Sequence, residues 1–190
     1  MTDGTRTRRE TGEGRLPGDL EPDRMIDRIL RVDHAGEYGA RRIYEGQLAV
    51  LRRSESGPAI AHMYEQELRH LEHFEDLMIA RRARPTALQP VWHVAGFALG
   101  AATALMGERA AMACTVAVEE VIDEHYARQH AALGDDEAEL KATIEDFRQE
   151  ELEHRDTGLA HGAEQTPGYE LLSAAIKSGS RLAIWLSERV

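Results

Sequence analysis

An apolar helical stripe that carries a glutamate and a histidine one turn apart occurs twice in this chain, and it limits the possible folds more than any other feature. Counted from Glu67, the residues Ile60, Met63, Tyr64, His70, Leu71, Phe74 and Met78 fall at offsets of −7, −4, −3, +3, +4, +7 and +11, one continuous face. The opposite face gathers His62, Glu65, Gln66, Arg69, Glu72, His73 and Asp76, as a solvated surface does. Glu67 and His70 therefore point inward. The stretch "FRQEELEHRD", residues 147 to 156, repeats the arrangement. Glu151 shares a face with Leu140, Ile144, Phe147, His154 and Gly158, whereas Glu150 lies with Thr143, Asp146, Glu153 and Thr157 and is read as water-facing. With 23 glutamates and nine histidines in 190 residues, chance supplies about one Glu-x-x-His, so finding two decides nothing. Their placement on apolar faces is the signal.

Each pair is preceded by an inward carboxylate on the previous helix. Glu37 shares a face with Ile26, Asp33, Ala40, Tyr44, Leu48 and Leu51; Glu119 shares one with Met112, Thr115, Val116, Ile122 and Tyr126, while its neighbour Glu120 runs into Glu124. Glu37 precedes Glu67 by 30 residues and Glu119 precedes Glu151 by 32, an internal repeat of a helix pair. Four carboxylates and two imidazoles in one core are prohibitive without counter-charge, since each desolvated ion costs several kcal/mol. Two divalent metal ions balance the four carboxylates, and this ligand set is that of ferritin-like di-iron and di-manganese bundles. Carboxylate and imidazole donors without thiolates suit iron or manganese. The spacing puts Glu67 and Glu151 between the ions, with Glu37 and His70 completing one position and Glu119 and His154 the other. His125 reads as a supporting histidine beside the ligands. Asp33, one turn before Glu37, reads equally as an orienting partner for a ligand imidazole or as an ordinary helix-face carboxylate. Tyr64 and Tyr126 fall on the ligand faces and are candidates for the border of a substrate pocket, or plain core.

The rest of the chain is helical in pattern. Helices are expected over about 24–53, 58–83, 91–132 with Gly107 as a candidate break, and 137–164, with a fifth opened by Pro167-Gly168. The fold class expected is all-α, a ferritin-like four-helix bundle of antiparallel helices with added apolar and amphipathic helices. Only 5% of residues are aromatic, and alanine, leucine, glutamate and arginine abound, which favours helix over strand. Residues 1–23 read as a disordered polar leader and 24–190 as the domain. A net charge of −11 argues against nucleic acid as a partner. Cys114, the single cysteine, excludes an internal disulfide and a thiolate cluster and reads as core filler. Residues 91–107 carry no charge except on His93, but a membrane span needs about 20 apolar residues, so this segment reads as a buried or membrane-surface helix. With no strand expected, there is no dinucleotide-binding fingerprint.

The segments "RVDHAGEYGARRIYEGQLAVL", "ELRHLEHF", "ACTVAVEEVIDEHY" and "FRQEELEHRDTG" resemble the signature segments of the demethoxyubiquinone hydroxylases, ferritin-like di-iron monooxygenases of ubiquinone biosynthesis, over about residues 24–190. The resemblance implies that Glu37, Glu67, His70, Glu119, Glu151 and His154 hold two Fe ions, in agreement with the helix faces. It also implies an activity, the O2-dependent hydroxylation of the ring of a polyprenylated methoxy-methyl-benzoquinol. NADH as electron source, other ubiquinone-biosynthesis proteins as partners, and peripheral attachment at the cytoplasmic side of a bacterial cell membrane are further implications. Two other readings use the same residues. A ferritin-like iron storage or ferroxidase subunit would share the ligands but should lack the apolar stretch after the second helix, and a membrane-docking helical protein would need no metal.

Overall fold

The structure, a computed structural model, describes residues 21–190. The polar leader lies outside the described residues up to position 20, and residues 22 and 23 already belong to the first helix. Six α-helices and no strand occur among the described residues: α1 Pro22–Leu51, α2 Gly57–Arg81, α3 Gln89–Leu105, α4 Glu108–Ala132, α5 Ala138–Ala160 and α6 Tyr169–Ser187. The apolar stretch read over 91–132 is broken where Gly107 adopts φ +118°, a conformation that side chains rarely allow, so α3 and α4 part there.

Two apolar blocks sandwich a polar layer in the bundle, and their membership fixes the helix directions. One block joins Leu48 and Leu51 of α1, Ile60 and Met63 of α2, Met112 and Val116 of α4, and Ala163 just past α5. The other joins Ile26 and Leu30 of α1, Phe74 and Met78 of α2, Tyr126 of α4, and Leu140 and Ile144 of α5. Following each chain from block to block, α1 and α5 run one way, and α2 and α4 run the other. The ferritin-like bundle expected from the sequence therefore forms, with one departure from an all-antiparallel succession: α2 and α4 follow one another in the bundle yet run the same way. Between α2 and α4 the chain must return to the first block, and α3 makes that crossing alongside α1, as ferritin-like bundles do.

Glycine lets α3 press against α1. A Cβ on Gly100 would run into the Ile43 carbonyl, and one on Gly46 into the carbonyl of Phe97, so the two backbones meet without side chains between them. Gly100→Leu is expected to cost about 2 kcal/mol by overpacking and to lower the Tm by roughly 4–8 °C in a circular-dichroism melt. α6 then covers α4, with Ile176 against Cys114, Ala117 and Val118. Its far end is tied to α3 by the Trp92 indole, which donates to Ser187 Oγ at 3.0 Å. The outward sides of α3 and α6 remain apolar: Val91, Val94, Leu105, Leu171, Leu182 and Trp185 are all more than half exposed. No helix among the described residues is long and apolar enough to cross a membrane.

Candidate metal centre

The polar layer between the two blocks is made by Glu37, Glu67, His70, Glu119, Glu151 and His154, none more than 2% exposed. Glu151 stands at its middle, with Oε1 3.1 Å from His70 Nδ1 and Oε2 3.1 Å from His154 Nδ1. Glu37 Oε2 approaches His70 Nδ1 at 3.4 Å, and Glu67 Oε1 approaches His154 Nδ1 at 3.3 Å. The six side chains sort into two groups able to hold a metal ion, Glu37, Glu67, His70 and Glu151, and Glu67, Glu119, Glu151 and His154. In each group one atom per residue lies within 4.8 Å of the others. Glu67 and Glu151 belong to both. Donor chemistry fits a pair of cations: Glu37 Oε2, both oxygens of Glu67, Glu119 Oε2, Glu151 Oε1 and His70 Nδ1 are buried with no aligned hydrogen-bond partner. Such a cluster of acceptors is far too costly to leave facing itself.

Without metal, protons must take the cations' place. Burial, then the nearby Glu151 and Glu37 charges, raise Glu67 well above the usual carboxylate range, and burial with Glu151 and Glu67 does the same to Glu119. Burial also works against charge on Glu151, but the close approach of the His154 and His70 imidazoles wins and brings it down to about 2. For His70, burial is outweighed by Glu151 and Glu37, which lift it to about 12, and His154 is raised by Glu151 in the same way. The sign follows from linkage. Raised groups favour the fold fully only below their unfolded values, near 4.5 for glutamate and 6.5 for histidine, and the contribution fades as pH climbs toward the folded values. Glu151 acts oppositely and loses its contribution only as pH falls from 4.5 toward 2. Chelated, metal-free protein should therefore melt lower at about pH 9 than at about pH 6, a trend that bound divalent metal should flatten by displacing those protons. A metal-free Tm that rises over that interval would contradict this charge assignment.

The surroundings obey the internal repeat. Tyr126 of α4, seven residues after Glu119, donates its hydroxyl to Glu37 Oε1, and Tyr44 of α1, seven residues after Glu37, donates to Glu119 Oε1 at 2.8 Å. Each half thus holds the other half's carboxylate. Gln129 Nε2 donates to Asp33 Oδ1 at 2.6 Å, and its repeat counterpart Gln47 reaches Thr115 Oγ1 at 3.4 Å. Across the α2–α5 contact, Gln66 Oε1 lies 3.2 Å from His154 Nε2, and Glu150 Oε2 lies 3.3 Å from His70 Nε2.

These positions differ from several sequence expectations. Gln66 and Glu150, read as water-facing, sit on the flanks of their helices where α2 meets α5, and Gln66 is only 7% exposed. Asp33 does not reach an imidazole of the central six; its nearest ring is His125, with Nε2 3.5 Å from Oδ1. Tyr64 turns to the α1–α2 flank and donates to Glu45 Oε1 at 3.2 Å. Tyr44 and the Gln66–Glu150 pair were not singled out by sequence. The seven-residue step shared by Tyr44 and Tyr126, each from its own glutamate, is the signal that marks the first of them.

Behind α1 and α4 lies an apolar cavity of about 340 Å³, within the range of small-molecule sites. Gly36, Gly39 and Ala40 of α1, Gly96 of α3, and Gly179 and Ala183 of α6 leave the space that larger side chains would fill. Gly36 and Ala40 lie within one turn of Glu37, and Val118 and Ile122, which also line it, lie within one turn of Glu119. Neither Tyr64 nor Tyr126 is among the lining residues.

Comparison with known proteins adds a second line of support. A family model described as ubiquinone biosynthesis protein COQ7 matches residues 24–187. The 3-demethoxyubiquinol 3-hydroxylase of Rhodospirillum rubrum is 64% identical over 183 residues, which cover 96% of this chain and 86% of that protein. The mitochondrial NADPH-dependent 3-demethoxyubiquinone 3-hydroxylase of Rattus norvegicus is 58% identical over 168 residues, 86% of this chain and 77% of its own. A mitochondrial 5-demethoxyubiquinone hydroxylase of Saccharomyces cerevisiae is 41% identical over 183 residues, covering 87% of this chain and 78% of that protein.

Proposed function

The chain belongs to the family of the ubiquinone biosynthesis protein COQ7, and from that membership we propose that it is a hydroxylase using O2 and a di-iron centre to oxidise the ring of a polyprenylated methoxy-methyl-benzoquinol. The observation that carries the reading is the pair of four-residue groups sharing Glu67 and Glu151 in a layer sealed from water. Glu37 and His70 would complete one iron position, Glu119 and His154 the other, with Glu67 and Glu151 bridging. Bound there, iron supplies the activation of O2.

The chain's own residues do the rest. Tyr126 and Tyr44 hold Glu37 and Glu119 by one oxygen each and leave the other free toward the centre. Two apolar blocks keep water from the layer. The cavity against α1 and α4 is where the quinol ring would sit, and its small residues give an apolar ligand room against the helical turns that carry Glu37 and Glu119. A polyprenyl substrate lives in a bilayer, and the exposed apolar sides of α3 and α6 border the same cavity, which supports peripheral docking on a membrane surface. One oxygen atom enters the ring and the other leaves as water, so two electrons are required. The rat relative is named NADPH-dependent, so NADPH stands beside the expected NADH as the nicotinamide source. Iron storage has the same donors but no use for an apolar cavity beside them, and the relatives are named as hydroxylases.

Anaerobic loading with Fe(II), followed by oxygen-18 gas, a reductant and a short-tailed quinol analogue, should yield a product carrying one oxygen-18 atom by mass spectrometry. Iron-loaded protein that consumes O2 without labelling the ring would overturn the proposed reaction.

A further inference from the structure

The two halves of the centre match in the tyrosines that hold their terminal carboxylates and differ in a contact that touches a histidine on each side. Gln66 and Glu150 each immediately precede a shared carboxylate, Glu67 and Glu151, so the same helical step carries both across the α2–α5 contact. There Glu150 Oε2 lies 3.3 Å from His70 Nε2, Gln66 Oε1 lies 3.2 Å from His154 Nε2, and Gln66 Nε2 donates to Glu150 Oε2 at 2.6 Å. One continuous bridge thus runs from histidine to histidine on the side away from the other carboxylates. Because both Nδ1 atoms face Glu151, a metal-binding imidazole must carry its proton on Nε2 and needs an acceptor there. Each side supplies one. Gln66 can present only its oxygen to His154, since its amide nitrogen is committed to Glu150. Phe147, stacked on His70 with centroids 4.0 Å apart, fixes the plane in which that ring reaches Glu150.

We propose that Glu150 and Gln66 are positioning residues that orient His70 and His154 and make the two metal positions unequal, because a carboxylate supports one imidazole and a neutral amide the other. The proposal rests on the metal reading above. A carboxylate acceptor makes an imidazole a stronger donor through its other nitrogen, so the ion at His70 is held by the more electron-rich ligand. The neighbourhood repeats the bias: Asp33 and His125 lie on the Glu37 side, where the repeat-equivalent positions of the other half are Thr115 and Ile43. Arg69 also pairs with Glu150, at 3.2 Å, but from a side chain that is 59% exposed, the ordinary surface role against which the proposal has to be weighed.

The test is an anaerobic Fe(II) titration of the full chain by calorimetry, with Mössbauer spectra of the loaded protein. Wild type should bind two ions and show two distinct ferrous doublets. E150L should weaken one binding step about 10- to 100-fold and leave the other within about threefold. E150Q, which keeps an acceptor without the charge, should recover most of the affinity while drawing the doublets together, an effect that a merely structural role would not produce. R69A should match wild type. The proposal is overturned if E150L binds both ions as wild type does, or if R69A loses as much as E150L. A wild-type chain that takes up no iron overturns instead the metal reading on which it rests.

Discussion

Glu151→Ala is expected to empty the centre of both metal ions and to abolish hydroxylation, while Glu153→Ala, two positions along the same helix, leaves both intact. Among the described residues Glu151 alone has a carboxylate within 3.1 Å of both His70 and His154, and it is fully buried. Its loss removes one of the two groups shared by both four-residue clusters and leaves His70 and His154 without their main anionic partner. Glu153 is exposed. Iron per chain should fall to a small fraction of the wild-type value, with turnover down about 1,000-fold or more, a loss of at least about 4 kcal/mol of transition-state stabilisation. Iron analysis and product formation measured on both variants check it. Comparable losses in the two would sink the distinction between the inner and outer glutamates of α5.

Ala183→Trp separates the cavity from the metal in the opposite sense. Ala183 lies on α6 and lines the apolar space behind α1 and α4, none of whose lining residues is among the six central side chains, so an indole there occupies the volume proposed for the quinol ring. Turnover with a short-tailed quinol is expected to fall about 100-fold or more in kcat/KM, with the iron content unchanged. Turnover that stays at the wild-type level would place the quinol elsewhere.

Much of the architecture can be read from helical periodicity because each bundle helix repeats one rule over several turns. Glu119 is buried while Glu120 pairs with Lys177 at the surface, as the shared face with Met112 and Val116 indicates. Direction is harder to see. Whether α3 merely links α2 to α4 or crosses the length of the bundle depends on Gly46 meeting the backbone of Phe97 and Gly100 that of Ile43, contacts between residues 51 and 57 apart that no local pattern encodes. Sorting each helix into an inner and an outer face also misses the flanks. Gln66 and Glu150 stand about 100° around from Glu67 and Glu151, which on an isolated helix is neither core nor solvent. Only the approach of α2 to α5 makes that flank an interior. Tyr64 shows the converse: its place beside inward residues suggests a pocket, yet Glu45 draws its hydroxyl outward. The lining of the cavity is harder to read than its cover, since it is built largely from glycines and alanines whose contribution is the volume they do not fill.

Anomalous diffraction at the iron absorption edge, from crystals grown with Fe(II), tests the central claim most directly. The expected map has two peaks in the polar layer, both beside Glu67 and Glu151, one next to His70 and the other next to His154. A single peak, or iron found only among the exposed carboxylates, would contradict it.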